Sequence, residues 1–171
     1  ILHHPSGRIC TEQLNTWVAL LRDPQIVKAQ ILQPYVQEIL SCYMDKMARI
    51  RWDDVENRTH PQTELLEASF DDEEEYDIWM ADLRSRASLL FKFIGNTEPQ
   101  ISARVLNARV QSVLATHGNG DPANFVEPSN QQLTPKSDAV IQFEALYQPM
   151  DNVIGGIPTW ALELDNKPLA N

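Results

Sequence analysis

Few side chains in this sequence are both reactive and spaced to react together. His3 and His4 stand ahead of a helical pattern with no acid close by in the chain, which suits a surface better than a metal site. His60 and His117 fall in loop-like stretches, each alone. Cys10 and Cys42 lie on helix-like runs and form no CxxC pair, so buried, inert thiols are expected rather than zinc ligands or a disulfide scaffold. Gly118, Gly120, Gly155 and Gly156 follow no strand and imply no phosphate-cradling loop. The run Glu73, Glu74, Glu75 lacks the alternating oxygen ligands and central Gly of a calcium loop. No catalytic constellation emerges, and the sequence predicts neither an enzyme nor a bound cofactor or metal.

What remains is charge. The chain has 171 residues and a net charge of −10. Residues 53–77 hold eleven acids (Asp53, Asp54, Glu56, Glu64, Glu67, Asp71, Asp72, Glu73, Glu74, Glu75, Asp77) and one base, Arg58, so that window alone carries −10. The rest of the chain balances to zero. Phosphate binding rests on Lys and Arg, so the acidic segment does not suit nucleic acid. Two readings stay open: a basic protein partner, or a solvated loop kept extended by its own charge. Asp71, Asp72, Glu73, Glu74 and Glu75 are the candidate partner-binding acids. Arg84, Arg86, Lys92, Arg104 and Arg109 are the main basic cluster. They could meet an acidic or phosphorylated partner if their helices line a groove, or simply pair on a mixed solvent face.

The elements that position these groups are helices. Ile9, Leu14, Trp17, Val18 and Leu21 recur at helical spacing over 6–22, with Ser6 as the expected N-cap. Asp23-Pro24 stops that helix and starts the next. Pro34 divides 24–50 into a short piece and a longer one bearing Val36, Ile39, Leu40, Tyr43, Met44, Met47 and Ile50. Residues 51–71 show no sustained period and read as a long polar loop with one anchored turn. Asp72 and Glu75 have capping-box spacing at the head of a third helix, carried by Tyr76, Trp79, Leu83, Leu90, Phe91 and Ile94. Gly95 is its expected stop, and Thr97 the cap of a fourth helix that ends at Gly118. Residues 118–136 read as loop. Ser137 opens a fifth helix, with Pro149 as a bend, and 155–171 reads as irregular.

No segment alternates at period 2, so the predicted class is all-α. Apolar residues make up 43% of the chain, enough for a real core, and only 6 residues are Gly, which excludes a collagen-like architecture. The longest apolar stretches fall short of the ~20 residues of a membrane span. No signal peptide opens the chain, and its start at Ile1-Leu2 predicts a piece cut from a longer protein. Antiparallel helices in sequence make a bundle or an α-solenoid; a HEAT-type repeat of ~40–47 residues would fit two to two and a half times.

Three motifs in order carry a resemblance. HPSG with TWVALLRD (His4 to Asp23), the acidic run FDDEEEY (70–76) and the helix QFEALYQPMDNVI (142–154) are similar to the importin-β-like exportins. The branch they resemble holds the plant protein Hasty, the animal exporter of microRNA precursors and a fungal exporter of phosphorylated proteins. The resemblance implies HEAT repeats over 1–154, with an acidic insertion at 51–71. It implies an inner wall of helices 6–21, 72–94 and 137–154, and an outer wall of 34–50 and 97–117. It implies a segment of a shuttling nuclear export receptor that binds Ran-GTP, protein or structured RNA cargo and nuclear pore proteins, with GTP carried by Ran and no membrane contact. The alternatives are a Ran-independent helical scaffold and a regulatory domain beside an enzyme.

Overall fold

The computed structural model describes residues 3–4, 6–118, 126, 134 and 137–158. Eight helices follow in order: α1 (Gly7–Arg22), α2 (Pro24–Lys28), α3 (Gln33–Lys46), α4 (Trp52–Glu56), α5 (Thr63–Glu67), α6 (Glu73–Thr97), α7 (Pro99–His117) and α8 (Asp138–Gly156). The all-α class and the five long helices hold.

Local chemistry sets three of the helix starts. The Asp23 carboxylate accepts from the backbone N–H groups of Gln25 and Ile26, with Pro24 in the first turn of α2. Asp72 accepts from the Glu75 N–H, and the Glu75 carboxylate reaches back to the Asp71 N–H. Ser137 caps α8 through the Val140 N–H. Ser6, by contrast, occupies the N-cap of α1 without a side-chain bond.

Several expectations need correction. The stretch 51–71 is not one polar loop: it contains α4 and α5, each five residues long, anchored by buried Trp52, Val55, Leu66 and Phe70. Gly95 does not stop α6, which runs on to Thr97; the Thr97 hydroxyl donates back to the Phe93 carbonyl, and the cap position of α7 falls to Glu98. Gly155 and Gly156 belong to α8 rather than to an irregular tail. Ile9, expected on the apolar stripe of the first helix, faces outward. The expected loop at 119–136 and the tail from 159 lie outside the described residues, apart from Val126 and Thr134.

Cross-helix contacts give the architecture. Arg8 meets Glu75, Thr11 meets Trp79 and Arg22 stacks on Phe93, so α1 and α6 run parallel. Arg84 meets Glu144, while Gly95 touches the backbone of Val153, so α6 and α8 run parallel too. Gln33 with Glu98, and Asp45 with Arg109, make α3 and α7 parallel. The Tyr43 hydroxyl donates to the Cys10 carbonyl at 2.9 Å and joins α3 to α1, while Met47 meets Arg84 and Ile50 meets Tyr76, so α3 runs against α6 and hence against α1. The result is two walls, α1–α6–α8 and α3–α7, stacked as in a helical-repeat solenoid.

The first-wall helices begin at Gly7, Glu73 and Asp138, 66 and 65 residues apart, longer than a plain two-helix unit. The extra length sits in 51–71 and in the link before α8. Between the walls lies one continuous core, with Leu14, Leu40, Tyr43, Leu83, Leu90 and Phe91 fully buried.

Candidate partner-binding surface

The acidic run begins where α6 meets an aromatic cluster. Phe70, Tyr76, Trp79 and Trp52 pack with ring centroids 5.1–5.8 Å apart. Tyr76 is buried, which pushes its hydroxyl up from its ordinary pKa, and its oxygen accepts from the Ile50 N–H at 2.9 Å. The cluster fixes the first two turns of α6, and therefore the direction in which the acids point.

Most of those acids already have partners inside the chain. Arg49, three residues past the end of α3, bridges Glu73 at 2.6 Å and Asp77 at 2.9 Å. Glu75 pairs with Arg8, whose guanidinium also lies 4.8 Å from the centre of the Phe70 ring. The Asp71 N–H, and after it Arg8, hold the Glu75 carboxyl below its usual range. Asp72 caps the helix. Asp71 and Glu74 are exposed. The expected acidic set is thus together in space, but Glu73 binds the segment after α3, Glu75 binds α1 and Asp72 caps its own helix.

The basic residues do not gather. Arg84 is a strut: only 17% of its side chain is exposed, and it donates to the Met47 carbonyl and to Glu144. Arg109 ties α7 to Asp45 of α3 and Gln142 of α8. Arg86 pairs with Asp82 one turn back on its own helix. Arg104 is exposed on the second wall, away from the α6 arginines, and Lys92 is exposed near the far end of α6, where its carbonyl meets Gly156. The single basic groove is therefore not formed. His3, expected to stand without an acid, meets Glu38 of α3 at 2.8 Å. Cys10 and Cys42 are buried, and burial pushes the Cys42 thiol up.

Among the described residues, two larger concave features stand out. The larger, about 750 Å³, lies under α3 and the α4–α5 segment; its acids Glu38, Asp45, Asp54 and Asp138 are mixed with the bases Lys46, Arg49 and Arg51. The smaller, about 710 Å³, is an open groove between α4 and α6 with Trp52, Ile78 and Ala81 as its apolar lining and Glu56, Asp72, Glu73, Glu74 and Asp77 around them. Periodicity missed Ile78, which is out of phase with the buried stripe Tyr76, Met80, Leu83, Ala87; that dislocation was the available signal. Among the described residues, no group of three or more His, Cys, Asp or Glu could hold a metal, and no helix is long and apolar enough to cross a membrane.

No curated protein and no solved structure matches the chain. The profile of the Exportin-5 family matches residues 1–167, nearly the whole sequence and every helix described above. The chain belongs to the Exportin-5 family.

Proposed function

We propose that this chain serves in a nuclear export receptor that takes up cargo together with the GTP form of Ran and shuttles between nucleus and cytoplasm. The family match over residues 1–167 carries the reading. The two parallel walls suit it, because a stacked helical array offers a long surface to a large partner and flexes along its length. Two ligands that favour one curvature bind cooperatively, and the coupling is reciprocal. Hydrolysis on Ran would then release cargo, so the nucleotide chemistry belongs to the partner and this chain supplies no catalytic group. On the motif resemblance we place the chain beside Hasty and the fungal exporter of phosphorylated proteins. Its cargo is then a protein, phosphorylated cargo included, or a structured RNA, and its route requires nuclear pore proteins. Asp71, Glu74 and Arg104 are the expected site residues best exposed to reach such partners.

The test is binding of the receptor to Ran loaded with GTP or GDP, with and without candidate cargo. Selective binding of the GTP form, strengthened by cargo, is expected. Nucleotide-blind or absent binding would refute the reading in favour of a Ran-independent scaffold.

A further inference from the structure

We propose that the groove between α4 and the start of α6 docks a short segment of a protein partner in which a large apolar side chain is flanked by Lys or Arg. The proposal does not rest on the export reading. It begins with Ile78, which is 66% exposed although it lies beside a well-filled aromatic cluster. Ile78 and Ala81, one turn apart on α6, line the groove together with Trp52 of α4, so apolar side chains and five carboxylates share one surface. No Lys or Arg lines the groove. Arg49 approaches Glu73 and Asp77, but it does not reach Glu56 or Glu74, which are exposed and have no ion pair among the described residues. The α6 dipole adds about half a positive charge at this end, less than the carboxylates left over.

Apolar side chains set among an acidic rim select a ligand twice. The rim repels phosphate and carboxylate, which argues against RNA and acidic peptides. A purely charged basic peptide would satisfy the rim and leave Ile78 in water. A segment with one large apolar residue between bases covers Ile78 and meets the rim on both sides. The larger cleft under α3 offers no such selection, because acids and bases alternate along it. The exposed Tyr147, Met150 and Ile154 on α8 form an apolar ridge with no charge pattern to define a partner.

The test uses the full chain and a short fluorescein-labelled peptide with Lys and Arg flanking a central Leu, followed by fluorescence anisotropy. Ile78→Ser should weaken binding about tenfold, since it removes the apolar contact at an exposed position. Replacing the peptide Leu by Ser should do the same, and the pair Glu56→Gln with Glu74→Gln should weaken binding and flatten its salt dependence. Thermal melts should show all variants folded. Absence of binding would overturn the proposal. So would binding indifferent to Ile78→Ser, even if it fell with the glutamate pair, because charge alone would then explain it.

Discussion

Replacing Gly95 by Ala should destabilise the chain, although Ala is the better helix former. Gly95 lies inside α6, where the exchange alone would gain about 1 kcal/mol. A Cβ there would stand 2.5 Å from the Val153 carbonyl oxygen of α8. At Gly156 of α8 a Cβ would stand 2.2 Å from the Lys92 carbonyl oxygen of α6. Both obstacles are backbone, so neither can swing aside; the two helices must separate by about 1 Å, which forfeits a quarter to a half of the dispersion at the affected contacts. Overpacking of this kind costs about 1–3 kcal/mol, enough to outweigh the propensity gain. Net of the propensity gain, each single variant should lose up to about 2 kcal/mol, or up to roughly 4–8 °C in Tm. The double variant should lose less than the sum, because one separation relieves both clashes. Gly155→Ala is the control: nothing lies within 4 Å of its Cβ, so it should be neutral or stabilising. Urea unfolding followed by circular dichroism reads all four. If Gly95→Ala proved as stable as Gly155→Ala, the close backbone approach would not be rigid and the reasoning would fail.

Two further outcomes follow from the acidic end of α6. Tyr76→Phe removes the oxygen that accepts from the part-buried Ile50 N–H, and should cost about 1–2 kcal/mol in urea unfolding; an unchanged midpoint would mean that water satisfies that donor. Glu75 has a depressed folded-state pKa, first through the Asp71 N–H and then through Arg8. Its stabilisation is therefore in place above the ordinary carboxylate pKa and is lost as pH falls through the lower, folded-state value. Glu75→Gln should remove part of the acid-limb slope of stability against pH; an identical slope would show that the carboxylate is not linked to folding.

Helices with long apolar periods were legible in the sequence, and so were the ends marked by local chemistry. Asp23-Pro24, Asp72 with Glu75 and Ser137 act within four residues, so a reading of neighbours finds them. The helices α4 and α5 escaped because five residues are too few to show a period. Gly95 and Gly156 looked like breakers because their role is a partner backbone some sixty residues away, which no local window contains. The partners of the arginines lay beyond a local window for the same reason. Arg84 and Arg109 looked available as charges on a helix face, yet each is held by groups more than thirty residues distant. Sequence located the acidic run, whereas its internal pairing and the exposed Ile78 beside it needed the fold.

The spacing of the first wall also bears on how the chain is made. Thr11 and Trp79, which hydrogen-bond between α1 and α6, are 68 residues apart in sequence. Closing a loop of that length rather than a ~20-residue hairpin costs only about 1 kcal/mol more in chain entropy, so equilibrium stability barely registers it. Time registers it more. At about 5–20 residues per second, the ribosome takes roughly 3–14 s to deliver Trp79 after Thr11. Throughout that interval the face of α1 that will meet α6 has no neighbour, although its own hydrogen bonds form within microseconds. The first wall is thus laid down with one apolar side of α1 waiting for a helix made seconds later.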